Sequence, residues 1–147
     1  MFVLSEDEKW YRVSLRLMGD DLPVEEIEAR LGLAAASFGR KGEHLNDNPR
    51  HEKYQTNVWV SKRPTNSDVP FEEQIAGLLD LLELKVDALK AILSLPNVEG
   101  ELFLGFGSGN GQGGAYFSPK LLARIAQCNL SLGLDLYPPS IDEDEEA

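Results

Sequence analysis

Hydrophobic and polar residues alternate along several short stretches of the chain, a pattern that is typical of strands with one buried side. Residues 10–18 alternate clearly, and their apolar side consists of Tyr11, Val13, Leu15 and Leu17. Residues 130–137 repeat the pattern with a leucine at every even position. Residues 54–61 and 101–106 alternate in the same way, and residues 33–38 form a shorter apolar stretch. The pattern therefore predicts five strands.

Three other stretches carry apolar residues at helical spacing. The longest, residues 71–95, would make a helix of about 37 Å, which is long for a chain of this size, so we expect a bend or break at residues 84–85. A shorter helix begins at Pro23 and stops at Gly32. Ser118 and Pro119 begin the third helix, with the serine as its cap and the proline in its first turn.

The predicted elements follow the order β-α-β-β-α-β-α-β. Because the strands are half-buried, this order predicts an α+β fold, a ferredoxin-like sandwich with an antiparallel or mixed sheet and the helices on one face. A doubly wound parallel sheet would have more uniformly apolar strands. We expect residues 1–139 to form a single α+β domain and residues 140–147 to form an acidic, disordered tail.

Composition restricts the classes of partner. The net charge is −11, and five acidic residues fall within residues 142–146. Binding to nucleic-acid phosphates requires clustered Lys and Arg, so we expect no nucleic-acid partner, whereas a basic protein partner is compatible with this charge. The chain has no apolar run of about 18 residues, so we expect no membrane span. The single cysteine, Cys128, and the acidic N-terminal residues predict a cytoplasmic location.

Several short motifs occur together in a fixed order. They are the strand that ends at Gly19-Asp20, Pro-x-x-Ile…Leu-Gly-Leu over residues 23–33, Lys41-Gly42-Glu43, Val58-Trp59-Val60-Ser61, Leu78-Leu79-Asp80-Leu81-Leu82, Phe117-Ser118-Pro119 and Leu-x-Leu-Asp-Leu-Tyr over residues 132–137. In this order the chain resembles a bacterial family of uncharacterised proteins, a domain of unknown function of about 140 residues. Some members resemble immunity proteins, so the resemblance implies a protein–protein role and supplies no catalytic residues.

Two apparent motifs do not match the sites that they suggest. Residues 109–114 contain G-x-G-x-x-G, but three residues separate the last glycine from the cap of the following helix, whereas a dinucleotide site places the third glycine at the helix start. A loop is the better interpretation. His44 and His51 share a loop with Asp47 and Glu52, yet their spacing fits no standard zinc pattern. We therefore predict no catalytic, cofactor-binding or metal-binding residues.

The polar side of the sheet is the strongest candidate site. If the helices cover the leucine side, one open side carries the candidate partner-binding residues Arg12, Arg16, Asn57, Trp59, Asp135 and Tyr137, together with Ser14. Trp, Tyr and Arg are enriched among the residues that dominate binding energy at protein interfaces. The alternative is structural: Arg12 or Arg16 pairs with Asp135 across strands, and Trp59 covers apolar sheet surface.

These observations favour a non-enzymatic protein-interaction domain, such as an immunity-type protein that binds and neutralises a partner toxin. The alternative is a small-ligand-sensing domain, in which the loop over residues 39–53 or the glycine-rich loop over residues 105–114 covers a pocket. No cofactor is expected. No pattern in the sequence sets an oligomeric state.

Overall fold

The structure is a computed structural model that describes residues 8–64 and 66–137. The predicted acidic tail, residues 140–147, lies outside the described residues. The fold is α+β. Its strands are β1 (Lys9–Met18), β2 (Ser37–Gly39), β3 (Val58–Lys62), β4 (Glu99–Ser108) and β5 (Ser131–Tyr137), and its helices are α1 (Ile27–Leu31), α2 (Phe71–Glu83), α3 (Val86–Leu93) and α4 (Pro119–Gln127).

The strands form one mixed sheet in the order β2-β3-β1-β4-β5. β1 lies in the middle and pairs antiparallel with both β3 and β4. β2 pairs antiparallel with β3 at one edge, and β5 pairs parallel with β4 at the other. The parallel pair is joined through α4, which is the usual kind of connection between adjacent parallel strands. In the described part of the chain, the edge strands β2 and β5 therefore each have a neighbouring strand on one side alone.

The order of elements along the chain agrees with the prediction, with one helix divided. The predicted long helix is broken at residues 84–85 into α2 and α3, as its length led us to expect. The ferredoxin-like assignment is not confirmed. What the structure shows is an α+β fold with an open, mixed five-stranded sheet.

The hydrophobic core lies between the sheet and the helices. Val13, Leu15 and Leu17 of β1 are buried, and Leu15 stands opposite Leu102 of β4. The helices contribute apolar residues to the same core, which are Ile27, Leu31, Phe71, Ile75, Leu78, Leu79, Leu82, Leu89, Ile92, Leu121 and Ile125. Burial of this side of β1 fixes the direction of the alternate side chains, because neighbouring residues in a strand point to opposite sides of the sheet.

Local signals in the sequence explain where α1 and α4 end and begin. Gly32 ends α1 in the left-handed conformation with φ 70°, which glycine adopts without steric cost. The Ser118 hydroxyl accepts a hydrogen bond from the Leu121 amide at 3.1 Å, and Pro119 is the first residue of α4. Arg124 of α4 then binds Glu83 of α2, with two nitrogen–oxygen distances of 3.0 and 2.8 Å. These contacts hold α4 against α2.

No helix within residues 8–64 and 66–137 is long and apolar enough to cross a bilayer.

Candidate functional site

The side of the sheet opposite the helices, here called the open face, carries a mixture of aromatic, charged and small residues. Strand register assigns to it Trp10, Arg12, Ser14, Arg16 and Met18 of β1, Val58, Val60 and Lys62 of β3, Glu99, Glu101, Phe103, Gly105 and Gly107 of β4, and Ser131, Gly133, Asp135 and Tyr137 of β5. Arg12 is exposed, and Tyr137 is 47 % exposed. The open face is therefore accessible at the end of the sheet where β1 begins and β5 ends.

Two aromatic rings meet on the open face across a glycine. Trp10 of β1 and Tyr137 of β5 both align with Gly107 of β4. Their ring centroids are 4.9 Å apart, with planes inclined by 49°. A Cβ atom on residue 107 would overlap the Trp10 indole, so this contact requires glycine at that position. The two rings form one continuous aromatic surface over β4, the strand that lies between β1 and β5.

Arg12 extends this aromatic surface with a positive charge. Its guanidinium carbon lies 4.4 Å from the centre of the Trp10 ring, within the range of a cation–π interaction. Arg12 and Asp135 are in register on either side of Gly105, which has no side chain between them. A hydrogen bond with the Asp135 carboxylate raises the pKa of Tyr137, because the carboxylate stabilises the protonated phenol. We name Trp10, Arg12, Asp135 and Tyr137 the aromatic cluster.

Arg16 lies further along the open face and packs on a second aromatic ring. Its guanidinium carbon is 4.0 Å from the centre of the Phe103 ring, and its Nη1 is 3.6 Å from Glu101 Oε1. Arg16 therefore pairs across the strands with the carboxylate of Glu101. The structural alternative from the sequence pairs it with Asp135 instead. The pair is partly exposed, so it orients the guanidinium more than it stabilises the fold.

Trp59 does not belong to the open face. The sequence pattern predicts it there with Arg12 and Tyr137, and this prediction is wrong, since Trp59 is 0 % exposed in the hydrophobic core. Register explains the error: Trp59 stands opposite Leu17, whose side faces the helices. A shift of one residue moves every side chain of a strand to the other side of the sheet.

Asn57 is also placed away from the open face. Its side chain binds the backbone at the edge of the core: Nδ2 donates to the carbonyl oxygens of Asp20 and Leu22 at 3.2 and 2.9 Å. Its Oδ1 accepts a hydrogen bond from the Lys41 amide at 2.9 Å. Asn57 therefore ties the turn after β1 to the loop after β2, and its predicted role in a partner-binding face is wrong.

The sequence prediction missed Trp10 and Phe103, although a signal for Trp10 was present. Trp10 alternates with Arg12, Ser14 and Arg16 along β1, so it shares their side of the strand. Phe103 alternates with buried Leu102 and Leu104, which places it on the opposite side to the core. The tryptophan of the open face is thus Trp10.

Charges on the open face are balanced, in contrast to the chain as a whole. Its cations are Arg12, Arg16 and Lys62, and its carboxylates are Glu99, Glu101 and Asp135. The whole chain has a net charge of −11. Fixed charges at an interface determine orientation and specificity more than affinity, so this balanced pattern would act mainly on the orientation of a molecule that meets the open face.

Comparison with known families gives one result. Residues 8–139 match the model of a family described as Domain of unknown function (DUF4279). The chain belongs to this family. No curated protein and no solved structure was found to match it. The DUF4279 match includes all five strands, so both β1 and β5, which supply the aromatic cluster, are part of the shared domain.

The DUF4279 domain also has an apolar groove at the end of its sheet, on the helix side. The groove has a volume of about 500 Å³. Phe71, Phe106, Leu134 and Leu136 line it on one side, and residues 111–115 of the loop that follows β4 line the other. The predicted glycine-rich loop therefore begins after Ser108, because residues 105–108 belong to β4. Gly113 of that loop has φ 137° and passes close to Phe106, where a Cβ atom would lie 2.7 Å from the ring. Glycine therefore lets the loop approach the sheet and form a wall of the groove.

The remaining motifs of the DUF4279 domain have structural explanations. α4 begins at Pro119, five positions after Gly114, so the glycines do not form a helix start of the dinucleotide type. His44 Nδ1 contacts the His51 carbonyl at 2.9 Å, and His51 Nδ1 contacts the Leu45 carbonyl at 3.2 Å, which closes the loop on itself. Among the residues that the structure describes, no group of three His, Cys, Asp or Glu is arranged to hold a metal ion.

Proposed function

We propose that the chain is a non-enzymatic protein-binding domain that docks its partner on the open face. The observation that carries this proposal is the aromatic cluster, in which Trp10, Tyr137 and Arg12 pack on one another on the accessible side of the sheet. Large rings and a guanidinium are the side chains that most often dominate binding energy at interfaces. A solvent-facing cluster of these three residue types is therefore a suitable anchor for a protein.

The cluster is held in place before a partner binds. Gly107 gives the Trp10 ring its position, and the Tyr137 ring packs against Trp10. The rings stand on paired strands rather than on loops, so few rotamers are available to them. Docking on such a surface costs less conformational entropy than docking on a flexible loop, which supports a binding role for the cluster.

We propose a partner that is basic overall and presents charges of both signs around an apolar centre at the contact. The net charge of −11 would attract a basic protein at long range, and the balanced charges of the open face would orient it at contact. An immunity-type role in the bacterial cytoplasm, in which the chain binds and neutralises a toxin, is the finer form of the proposal. Its support is the resemblance described above together with this acidic charge.

The test is capture of a partner from native lysate at low salt with immobilised protein. The face variant carries Arg12→Glu and Tyr137→Ser. The matched control carries Lys85→Glu and Leu84→Ser at the α2–α3 junction, which change the charge equally at residues that are also exposed. We expect wild type and control to retain the same protein and the face variant to lose it. Retention by the face variant, or no protein retained by wild type, would contradict the proposal.

The apolar groove supports a second candidate function, binding of a small apolar ligand. A volume of about 500 Å³ is within the range of ligand sites, and its aromatic and aliphatic lining is typical of them. Thermal denaturation with a library of apolar metabolites tests this function, since a ligand that prefers the folded state raises Tm. The ligand-induced rise in Tm should disappear in Ala115→Glu, which places a negative charge on the wall of the groove. It should persist in Ala123→Glu, a control on the exposed side of α4.

A further inference from the structure

β5 is an edge strand with three exposed leucines. Leu132, Leu134 and Leu136 are 39 %, 61 % and 64 % exposed. They align with Leu102, Leu104 and Phe106 of β4, so they face the helix side of the sheet. The sequence predicts that helices cover the leucine side of every strand, and for β5 this prediction is wrong. The core ends at β4, and the leucine row of β5 continues beyond it into solvent.

The two edges of the sheet differ in a way that matters for association. β2 has three residues, and a very short strand offers little for another chain to pair with. β5 has seven residues, and within 131–137 it contains no proline or lysine, two residues that commonly protect an edge, while Asp135 is its single charged residue. Within residues 8–64 and 66–137 no strand pairs with its outer side, so the backbone groups there have no strand partner in this part of the chain. β5 therefore combines an open edge with an apolar row.

We propose that β5 pairs antiparallel with β5 of a second copy of this chain, with Leu134 at the twofold axis. This pairing places Leu132 opposite Leu136 of the other copy, and all seven residues of each strand have a counterpart. The six leucines then form one apolar strip on the helix side. The proposal rests on β5 and is independent of the proposed binding function.

The charge and the side-chain pattern of β5 select this register. With Leu134 opposite its equivalent, Asp135 stands opposite Gly133, so no like charges meet. A shift that centres the pair on Asp135 would put two carboxylates directly opposite each other, which is destabilising. A shift by a single position would set leucines against Gly133 and Asp135 and break the apolar strip. Of these registers, the proposed one pairs all seven residues of each strand and keeps the two Asp135 carboxylates from lying opposite each other.

The dimer would be a continuous ten-stranded sheet. Because the twofold axis is perpendicular to the sheet, the open faces of both copies lie on the same side. Each copy brings its own aromatic cluster, with Tyr137 beside Ser131 of the other copy. Two copies of the open face in one plane would let the dimer bind a partner that has two equivalent sites. Such bivalent binding raises the apparent affinity even when each open face makes the same contacts as it would alone.

Sedimentation velocity over a range of protein concentrations tests the association. We expect wild type to shift from monomer to dimer as concentration rises. Leu134→Lys should remain a monomer, because two charges would meet at the axis. The control is Leu84→Lys, where the leucine is 79 % exposed but lies at the α2–α3 junction, and it should associate like wild type. A wild-type chain that stays monomeric at every concentration would overturn the proposal and indicate a different occupant of the β5 edge.

Single-cysteine cross-linking tests the register. Leu134→Cys places two thiols directly opposite each other, at a Cα separation of about 5 Å that a disulfide can span. Leu136→Cys places its thiols about 14 Å apart along the strands, because each stands opposite residue 132. We expect mild oxidation to cross-link the first variant and not the second. Equal cross-linking of both would overturn the proposed pairing. The native Cys128 does not interfere, since it is buried.

Discussion

The rings of Trp10 and Tyr137 lie 4.9 Å apart although the two residues belong to strands that are not neighbours. They meet because Gly107, on the strand between them, has no side chain. The same strand buries Leu102 and Leu104 on its other side. One strand thus supports the core with its even positions and leaves room for the aromatic cluster with its odd positions. The open face and the hydrophobic core therefore depend on alternate residues of the same strand, β4.

Substitution of Gly107 by Ala should displace Trp10 without disturbing the core. A Cβ atom at this position would overlap the indole, so the ring must leave its place over β4. We expect the loss of the aromatic contact to lower the free energy of unfolding by about 1 kcal/mol. Iodide quenching of tryptophan fluorescence checks the movement, because Trp59 is buried and Trp10 is partly exposed. The quenchable fraction should rise in the variant.

Gly114→Ala is the matched control for this change. A Cβ atom on Gly114 would meet no other atom within 4 Å. We expect its quenching and its unfolding curve to match those of wild type. If Gly107→Ala also behaved like wild type, the Trp10 ring would not lie over β4 and the aromatic cluster would not exist as described.

Trp59 and Trp10 should differ strongly in their contribution to stability. Trp59→Ala empties a fully buried site, so we expect it to lower the free energy of unfolding by about 3–5 kcal/mol or to prevent folding. Trp10→Ala removes the partly exposed contacts of its ring with Tyr137 and Arg12, and we expect a loss of about 1 kcal/mol. Urea denaturation followed by circular dichroism measures both losses. Equal losses would be incompatible with the opposite placement of the two residues.

Removal of the Asp135 carboxylate should lower the pKa of Tyr137. The hydrogen bond from the phenol to this carboxylate raises that pKa, so Asp135→Ala returns it towards the ordinary value. Titration of ¹³C-labelled tyrosine by NMR measures the change, and Tyr137→Phe assigns the signal. Glu101→Ala removes another carboxylate of the open face and should leave the Tyr137 signal unchanged. An unchanged pKa in Asp135→Ala would show that the two side chains do not touch.

The ion pair between Arg124 and Glu83 should give a stability difference that depends on pH. A hydrogen bond from the Arg124 guanidinium lowers the pKa of Glu83 below its usual value of 4.5. The pair therefore contributes stability above about pH 4.5 and loses it as the pH falls through the lowered pKa. We expect Arg124→Met to cost about 1 kcal/mol at pH 7, a modest loss because the pair is partly exposed, and less at pH 3.

Thermal or urea unfolding at both pH values checks this difference. Lys120→Met is the control on the same helix, since Lys120 makes no ion pair with any described residue. Its effect should be small at both pH values. A loss in Arg124→Met that did not change with pH would mean that packing, rather than charge, holds α4 to α2.

The elements could be predicted from the sequence because their signals are local. Ser118 and Pro119 mark the start of α4, Gly32 ends α1, and the alternation in β1 identifies its buried side. Each of these depends on residues within one or two turns or along one strand. The break between α2 and α3 could be expected from length alone, since a single helix would exceed the dimensions of the domain.

The orientation of β3 could not be predicted, because both of its sides are apolar. Val58 and Val60 are on one side and Trp59 is on the other, so hydrophobic pattern does not decide which side is buried. The pairing of Trp59 with Leu17 decides it, and that contact joins residues far apart in sequence. Two of the six residues predicted for the partner-binding face, Asn57 and Trp59, therefore lie away from the open face.

The exposure of β5 could not be predicted for a different reason. Its leucines at positions 132, 134 and 136 have the correct pattern for a buried side, and register places them in line with the core. Their exposure follows from the position of β5 at the edge of the sheet, which depends on strand order rather than on the sequence of the strand. A regular apolar pattern predicts which side is apolar, but it does not predict what covers that side.

Binding of the captured partner to the variant Trp10→Ala, measured by isothermal titration calorimetry, tests the role of the open face most directly. We expect affinity to fall by about 30-fold, the effect of losing an interface residue worth about 2 kcal/mol, while the exposed control Leu84→Ala binds like wild type. A Trp10→Ala chain that is folded and binds its partner as tightly as wild type would contradict the account.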